Sequence, residues 1–222
     1  MRRTGRLPLD ALQPYLLEAP RADARAAASS AAPPPRVLDW SQIYGNQHPV
    51  EIEVGFGKGL FLVNAAQTHP GANFLGIEIE RKYQLYTATR LAKRGLGNVR
   101  VVCADARLFL RDYVADRSVH VVHVYFPDPW WKTRHRKRRL FTEEFAAQCI
   151  RVLEPAGELR LATDVPDYFA IIQTMLAGQP ALRELPPPTE AAALHDMDYL
   201  TNFERKYRKE AKPIYRAAYG KT

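Results

Sequence analysis

From Pro49 onward the chain alternates short, nearly unbroken apolar runs with segments whose apolar residues recur every three or four positions. PVEIEV, NFLGIE, VRVVC, VHVVHVYF and ELRLAT are of the first kind; LFLVNAAQ, KYQLYTATRLAKRG, RLFLRDYV and LFTEEFAAQCIRVL are of the second. Runs of Val, Ile and Leu with little polar alternation are strands covered on both faces. A helix of about a dozen residues between consecutive strands is the crossover that parallel pairing needs. The pattern predicts an α/β fold: a doubly wound, mostly parallel sheet between two layers of helices. Near the C-terminus PALREL reads as a strand running into a proline loop, FERKYRKEAK as a helix ended by Pro213, and KPIYRAAYG as a closing strand.

Residues 19–36, APRADARAAASSAAPPPR, are small residues and prolines with nothing large to bury, the composition of a flexible linker. The linker divides the chain into an N-terminal arm (residues 1–18) and a folded domain (residues 37–222). In the arm Arg2, Arg3 and Arg6 precede the short apolar segment LDALQPYLL. Such a terminus either frays or becomes ordered on a polyanion.

Charge narrows the partners. Thirty-two Lys and Arg against 24 Asp and Glu give a formal charge of +8 on 222 residues, which favours a polyanionic partner such as nucleic acid or an acidic membrane surface. Cys103 and Cys149 stand alone in apolar contexts and read as buried thiols in a reducing compartment. No run approaches the ~18 apolar residues of a membrane span, and the basic start lacks the apolar centre of a secretory signal, so the expected residence is cytoplasmic, with no membrane partner. The six histidines show no paired metal spacing, and no Ser, Cys or His sits in a nucleophile-elbow context, so neither a metal nor covalent catalysis is expected.

In EIEVGFGKGLFL, Gly55, Gly57 and Gly59 follow a strand and open a helix, where a missing Cβ lets backbone amides approach a ligand. The spacing is GxGxG. A dinucleotide fingerprint needs glycine at position 60, which is Leu60, so pyrophosphate binding and an NAD-dependent dehydrogenase are poorly supported. The next two strands end in carboxylates, Glu78 and Asp105, placed around the same crevice. Glu78 lies about twenty residues past the glycines, where an acid accepts from both ribose hydroxyls. Asp105 stands where an adenine amine would need an acceptor; the alternative for either acid is a helix cap. Glu53 lies inside an apolar strand, suited to holding the loop amides or meeting an amino group or sulfonium. A nucleoside without phosphate, bound by acids and glycines, points to S-adenosylmethionine.

Asp128 follows VHVVHVYF and is bracketed by Pro127 and Pro129, which stiffen its turn. Trp130 and Trp131 either stack on a base or close the core. The basic run Arg134, His135, Arg136, Lys137, Arg138 and Arg139 comes next, a concentration of like charge that calls for an anion. Asp164 ends the strand RLATD, as a guanine acceptor or a strand-end cap. Thr201, Asn202, Phe203 and Glu204 form a Ser/Thr-x-x-Glu capping box, which is compatible with a substrate contact.

Together GFGKG after an acidic strand, LGIEIE, CADA, YFPDPWWKTRHRKRR, LATD and TNFE resemble the bacterial tRNA (guanine-N7-)-methyltransferase family over residues 50–219. The resemblance implies a class I, Rossmann-like methyltransferase fold with an antiparallel strand at the C-terminus, and methyl transfer from S-adenosylmethionine to N7 of a guanine in tRNA, guanine 46 in tRNA numbering. Carried over position by position, Glu53, Glu78 and Asp105 match donor-binding acids, beside the loop of Gly55, Gly57 and Gly59. Asp128 matches a residue assigned both to the donor site and to catalysis. Lys132 and Asp164 match substrate contacts, as do Thr201, Asn202, Phe203 and Glu204, while residues 134–139 match an RNA-contacting segment. Trp131 departs from the histidine expected there, and the linker is not part of the pattern. No protein partner is implied. Two rivals stand beside this reading: a methyltransferase acting on another nucleic-acid base, whose PP[YF] tetrapeptide FPDP departs from, and a non-catalytic RNA-binding module on the same fold.

Overall fold

The computed structural model describes residues 7–18, 37–130, 139–187, 201, 204, 208, 210 and 212–222. Its strands in chain order are β1 (Leu16–Leu17), β2 (Val50–Val54), β3 (Asn73–Glu78), β4 (Val99–Cys103), β5 (Val119–Tyr125), β6 (Leu153–Thr163), β7 (Leu182–Leu185) and β8 (Tyr215–Lys221). The helices are α1 (Leu9–Leu12), α2 (Trp40–Tyr44), α3 (Leu60–Thr68), α4 (Arg81–Ala92), α5 (Ala106–Tyr113), α6 (Glu143–Val152) and α7 (Pro166–Ala177). The strands form one sheet in the order β1-β4-β3-β2-β5-β6-β8-β7. Pairing is parallel from β1 to β6, and β8 runs antiparallel to both β6 and β7. The doubly wound sheet with an antiparallel strand at the C-terminus therefore matches the expectation.

Adjacent residues of the central strands bury on opposite faces. Phe74 packs in one apolar cluster with Leu62, Leu91 and Val101, whereas Leu75 and Ile77 pack in the other with Ile52, Phe109, Phe145 and Tyr168. This two-sided burial is why the strands read as continuous apolar runs. Helix ends follow local chemistry: Thr142 Oγ1 accepts from Phe145 N at 3.2 Å to cap α6, with Glu143 and Glu144 in its first turn. Helices α2 and α7 were not singled out by the pattern. Asp39 caps the first, accepting from Ser41 N at 2.9 Å; Pro166 opens the second.

Residues 7–18 depart from the picture of a separate arm. Leu16 and Leu17 pair in parallel with Val101 and Val102, extending the sheet beyond β4, and Leu12 is only 2% exposed. LDALQPYLL is too short to bury its own apolar side chains, and the flank of β4 and α4 provides the missing surface. Arg2, Arg3, Arg6 and the linker lie outside the described residues. Cys149 is buried and Cys103 half-exposed, its Sγ 3.4 Å from Ile79 O, so one of the two thiols departs from the buried reading. Among the described residues no helix is long and apolar enough to cross a membrane.

Leu12→Ala should lower the unfolding free energy by about 2 kcal/mol, the lower end for a buried leucine because the segment can partly undock. Urea denaturation checks this; a loss below about 0.5 kcal/mol, typical of surface positions, would detach the segment from the cooperative unit.

Candidate active site at the carboxyl ends of the strands

The sheet winds one way from β2 through β3 to β4, and the other way from β5 to β6. Beyond the carboxyl ends of β2 and β5 lies the switch point where such sheets leave a crevice. The glycine loop sits there. Gly55, Gly57 and Gly59 have φ of 77°, 51° and 63°, all left-handed. At Gly55 and Gly57 no atom lies within 4 Å of the place a Cβ would occupy, so the loop backbone borders open space. At Gly59 a Cβ would stand 2.3 Å from Thr87 Cγ2. The third glycine thus also serves the packing of α3 against α4.

Glu78 ties β3 to this loop, its Oε2 accepting from Gly57 N at 2.9 Å and its Oε1 from Glu80 N at 3.1 Å. Glu53, on the next strand, is 3% exposed, and its Oε2 has no hydrogen-bond partner among the described residues. Burial, and then the negative charge of Glu78, push its pKa well above the usual carboxylate range. Both influences disfavour the ionised form, and a cationic ligand would offset them. Asp105 fulfils the capping alternative: its Oδ1 accepts from Arg107 N at 2.9 Å, and its Oδ2 meets Arg107 Nη2 at 2.6 Å. That side-chain bond is the main cause of its lowered pKa. Ile79, passed over in the sequence, is 67% exposed directly after Glu78. Within LGIEIE it looks like more strand, and only its exposure marks it as an apolar surface at the crevice.

Under the loop, on the α3 side, lies a polar cluster that the sequence did not reveal. His123, 1% exposed, places Nε2 2.7 Å from Glu51 Oε2 and Nδ1 2.8 Å from the Tyr125 hydroxyl, with its ring against Phe61. Burial, the largest influence, lowers the His123 pKa. With the ring neutral, Nε2–H donates to Glu51 and Nδ1 accepts a hydrogen bond from the Tyr125 hydroxyl. Glu53, Glu51 and Glu204 all bear electrostatically on Tyr125, so these acids share one neighbourhood.

The segment after β5 is backbone-strained. Phe126 and Trp130 have φ of 53° and 41°, unusual for bulky residues, and bracket Pro127-Asp128-Pro129. Phe126 N donates to Ala162 O at 2.7 Å, which anchors the turn to β6 and leaves Asp128 exposed beyond the strand end. Arg139 closes the far side: its Nε donates to Pro129 O at 2.8 Å, and its guanidinium lies 5.3 Å from the centre of the Tyr168 ring. The side chain at the end of the basic run is therefore tied to the turn after β5 and to α7. Trp131, Lys132, Arg134, His135, Arg136, Lys137 and Arg138 lie outside the described residues, as do Asn202 and Phe203.

Asp164 follows β6 directly, and the turn into α7 is held by Thr163, whose Oγ1 accepts from Val165 N at 3.3 Å. Thr201 Oγ1 accepts from Glu204 N at 3.0 Å, one half of the capping box. Glu204, 4% exposed, also accepts from Arg216 Nη2 at 2.9 Å, which pins this segment to β8. A cleft of about 550 Å³ opens at the opposite, amino-terminal ends of β2 and β5, lined by Trp40, His48, Pro49 and Ser118. It lies far from the glycine loop and the strand-end acids. Concavity and chemistry point to different ends here, and the buried Glu53, whose Oε2 has no partner among the described residues, makes the carboxyl ends the candidate site.

Comparison with known proteins bears on this geometry. The family described as "Putative methyltransferase" matches residues 47–217. A tRNA (guanine-N(7)-)-methyltransferase of Rhodopirellula baltica is 42% identical over 193 residues, covering 84% of this chain and 71% of that protein. One from Geobacter metallireducens is 36% identical, covering 83% and 87%. Among solved structures, the aminoglycoside resistance methyltransferase NpmB1 superposes with a TM-score of 0.54 at 18% identity, covering 80% of this chain and 89% of that one. A SAM-dependent methyltransferase from Aquifex aeolicus does so at 0.53 and 13%, covering 80% and 85%. At such identities the structures speak for the fold, while the sequence relatives speak for the family: the chain belongs to the tRNA (guanine-N(7)-)-methyltransferases.

Proposed function

We propose that the protein transfers a methyl group from S-adenosylmethionine to N7 of a guanine in tRNA, at the position 46 to which the resemblance points, and that it does so in the cytoplasm. The observation that carries this reading is Glu53: a buried, unpartnered carboxyl beneath a left-handed glycine loop that borders open space. That arrangement fits a ligand with a cationic group next to a nucleoside. Glu53 would meet the donor's amino or sulfonium group, Glu78 its ribose hydroxyls, and the backbone at Gly55 and Gly57 its length. Asp105, while capping α5 and holding Arg107, would accept from the adenine amine with a remaining lone pair, beside Ile79 as an apolar surface for the ring.

When bound, S-adenosylmethionine supplies a methyl group on a cationic sulfur, an electrophile that needs no further activation. Guanine N7 already carries a lone pair, so no proton has to be removed, and the work left to the protein is orientation and charge. Asp128, on its stiff turn past β5, would hold the guanine against the donor and offset the positive charge that moves onto the purine. Asp164 and the Thr201–Glu204 tetrapeptide would bind the guanine edge. Lys132 and the run from Arg134 to Arg138 would hold phosphates, with Arg139 setting the base of that loop.

Labelled S-adenosylmethionine incubated with bulk tRNA should yield labelled 7-methylguanosine on nucleoside analysis. Label on an exocyclic amine, or no incorporation, would overturn the reading. Asp128→Asn should keep the fold and reduce the single-turnover rate about a hundredfold to a thousandfold. A near-parental rate would return Asp128 to a structural turn.

Glu53 generates a pH-linked expectation. Its raised pKa means that the free folded protein keeps a proton that an unfolded chain gives up near the ordinary carboxylate value, so its contribution to stability falls as pH rises through that interval. A cationic ligand favours the ionised form, so donor binding releases the proton and tightens as pH rises through the same interval. Glu53→Gln should accordingly leave the thermal midpoint at neutral pH unchanged or higher. It should also weaken donor binding about tenfold to a hundredfold, the loss of a hydrogen bond to a charged group. Calorimetry in buffers of different ionisation enthalpy checks both the affinity and the proton release; parental affinity would remove Glu53 from the site.

A further inference from the structure

We infer that helix α4 carries a second contact surface for the tRNA backbone, separate from the basic run after β5. The inference rests on tRNA as the substrate. Residues 81–94, RKYQLYTATRLAKR, contain five basic residues and no acidic one. Helical spacing places Lys82, Tyr86, Arg90 and Lys93 on one stripe, with Tyr83 and Arg94 at its margin. The opposite face is the buried one: Gln84, Ala88 and Leu91 are covered, and Gln84 Nε2 donates to Val101 O at 2.8 Å. On the outer face Lys82, Tyr86, Lys93 and Arg94 are exposed, Tyr86 by 48%.

Two features separate this stripe from an ordinary solvated helix face. Exposed helices commonly interleave acids and bases one turn apart, which stabilises them, whereas residues 81–94 hold no acid: Arg90 stands one turn from Lys93 and Arg94, and Lys82 pairs with Glu80, 3.2 Å away and ahead of the helix. That repulsion is tolerable where an anion binds. The basic residues are also interleaved with tyrosines, and an exposed phenol ring offers a stacking face for an unpaired base. The stripe is joined to the crevice as well: Arg90 Nη1 donates to Lys58 O at 2.5 Å, which sets another cation of the glycine loop beside the helix. Helix α4 starts directly after Glu78, Ile79 and Glu80, on the side of β2 away from the loop after β5. A folded RNA that puts one guanine into the crevice is wider than the crevice, and α4 is the surface on that flank.

The test uses the full chain and the triple variant Lys82→Gln, Lys93→Gln, Arg94→Gln, whose side chains are exposed and whose thermal midpoint should stay at the parent's. Fluorescence anisotropy with unmodified tRNA over a range of salt should show a log–log slope lower by about 2, at roughly 0.7 to 0.9 per lost phosphate contact, and an affinity at least about tenfold weaker near 0.1 M salt. The KM for tRNA should rise while kcat and donor affinity hold. Tyr86→Ala should weaken tRNA binding with the parent's slope, since stacking releases no counterion. A triple variant with the parent's slope and KM would overturn the inference and leave α4 a solvated face. Unchanged tRNA binding with lost affinity for phosphatidylserine vesicles would overturn it in favour of a membrane contact. Failure of the parent itself to methylate tRNA would instead sink the substrate reading, and the inference with it.

Discussion

An ionisable side chain buried inside a parallel sheet is the constraint around which this molecule is arranged. Glu53 sits on β2, flanked by β3 and β5, where a carboxylate loses its hydration and gains no donor from the described protein. Leaving such a group unsatisfied costs about 1–3 kcal/mol, which a core position would not retain for packing alone. The neighbourhood explains what keeps it. Glu78 is held by Gly57 N and Glu80 N at the end of the adjacent strand, and its negative charge raises the cost of ionising Glu53 further. Two acids and a backbone loop in left-handed conformation thus form a site that is strained toward accepting positive charge.

The same strands carry a second polar group in their interior, handled in the opposite way. His123 is as deeply buried as Glu53, but both its ring nitrogens are satisfied, one by Glu51 across to β2 and one by Tyr125 two residues along β5. A satisfied network stiffens the floor beneath the glycine loop; an unsatisfied carboxyl above it invites a ligand. The contrast sets a satisfied polar group beside an unsatisfied one within one face of one sheet.

Strain appears again where β5 ends. Positive φ at Phe126 and Trp130 is accompanied by the anchor of Phe126 to Ala162, and Arg139 fastens Pro129. The cation–ring contact with Tyr168 links that fastening to the buried side of α7. Asp128 is therefore presented from a turn braced at both ends, as the orienting role proposed for it requires. At the opposite margin of the sheet, Leu16 and Leu17 cover an edge that β4 would otherwise leave open.

Much of this was legible in the sequence because it depends on local properties. Two-sided burial forces continuous Val/Ile/Leu runs, a parallel crossover forces a helix between them, and a left-handed turn before a helix favours glycine, so the strands, the helices between them and the turn at Gly55, Gly57 and Gly59 could be read from the residues. What the sequence could not decide was the partner of each side chain. Asp105 and Glu78 look alike as strand-end acids, yet one is engaged by Arg107 and the other by Gly57 N. Ile79 looks like more strand and is exposed; Arg139 looks like one more phosphate ligand and stitches a loop. His123 meets Glu51 from 72 residues away, and the N-terminal leucines find their cover on β4. Periodicity and turn chemistry act between neighbours in the chain and so are written in it, whereas burial and hydrogen-bond choice are settled between residues that only the folded sheet brings together.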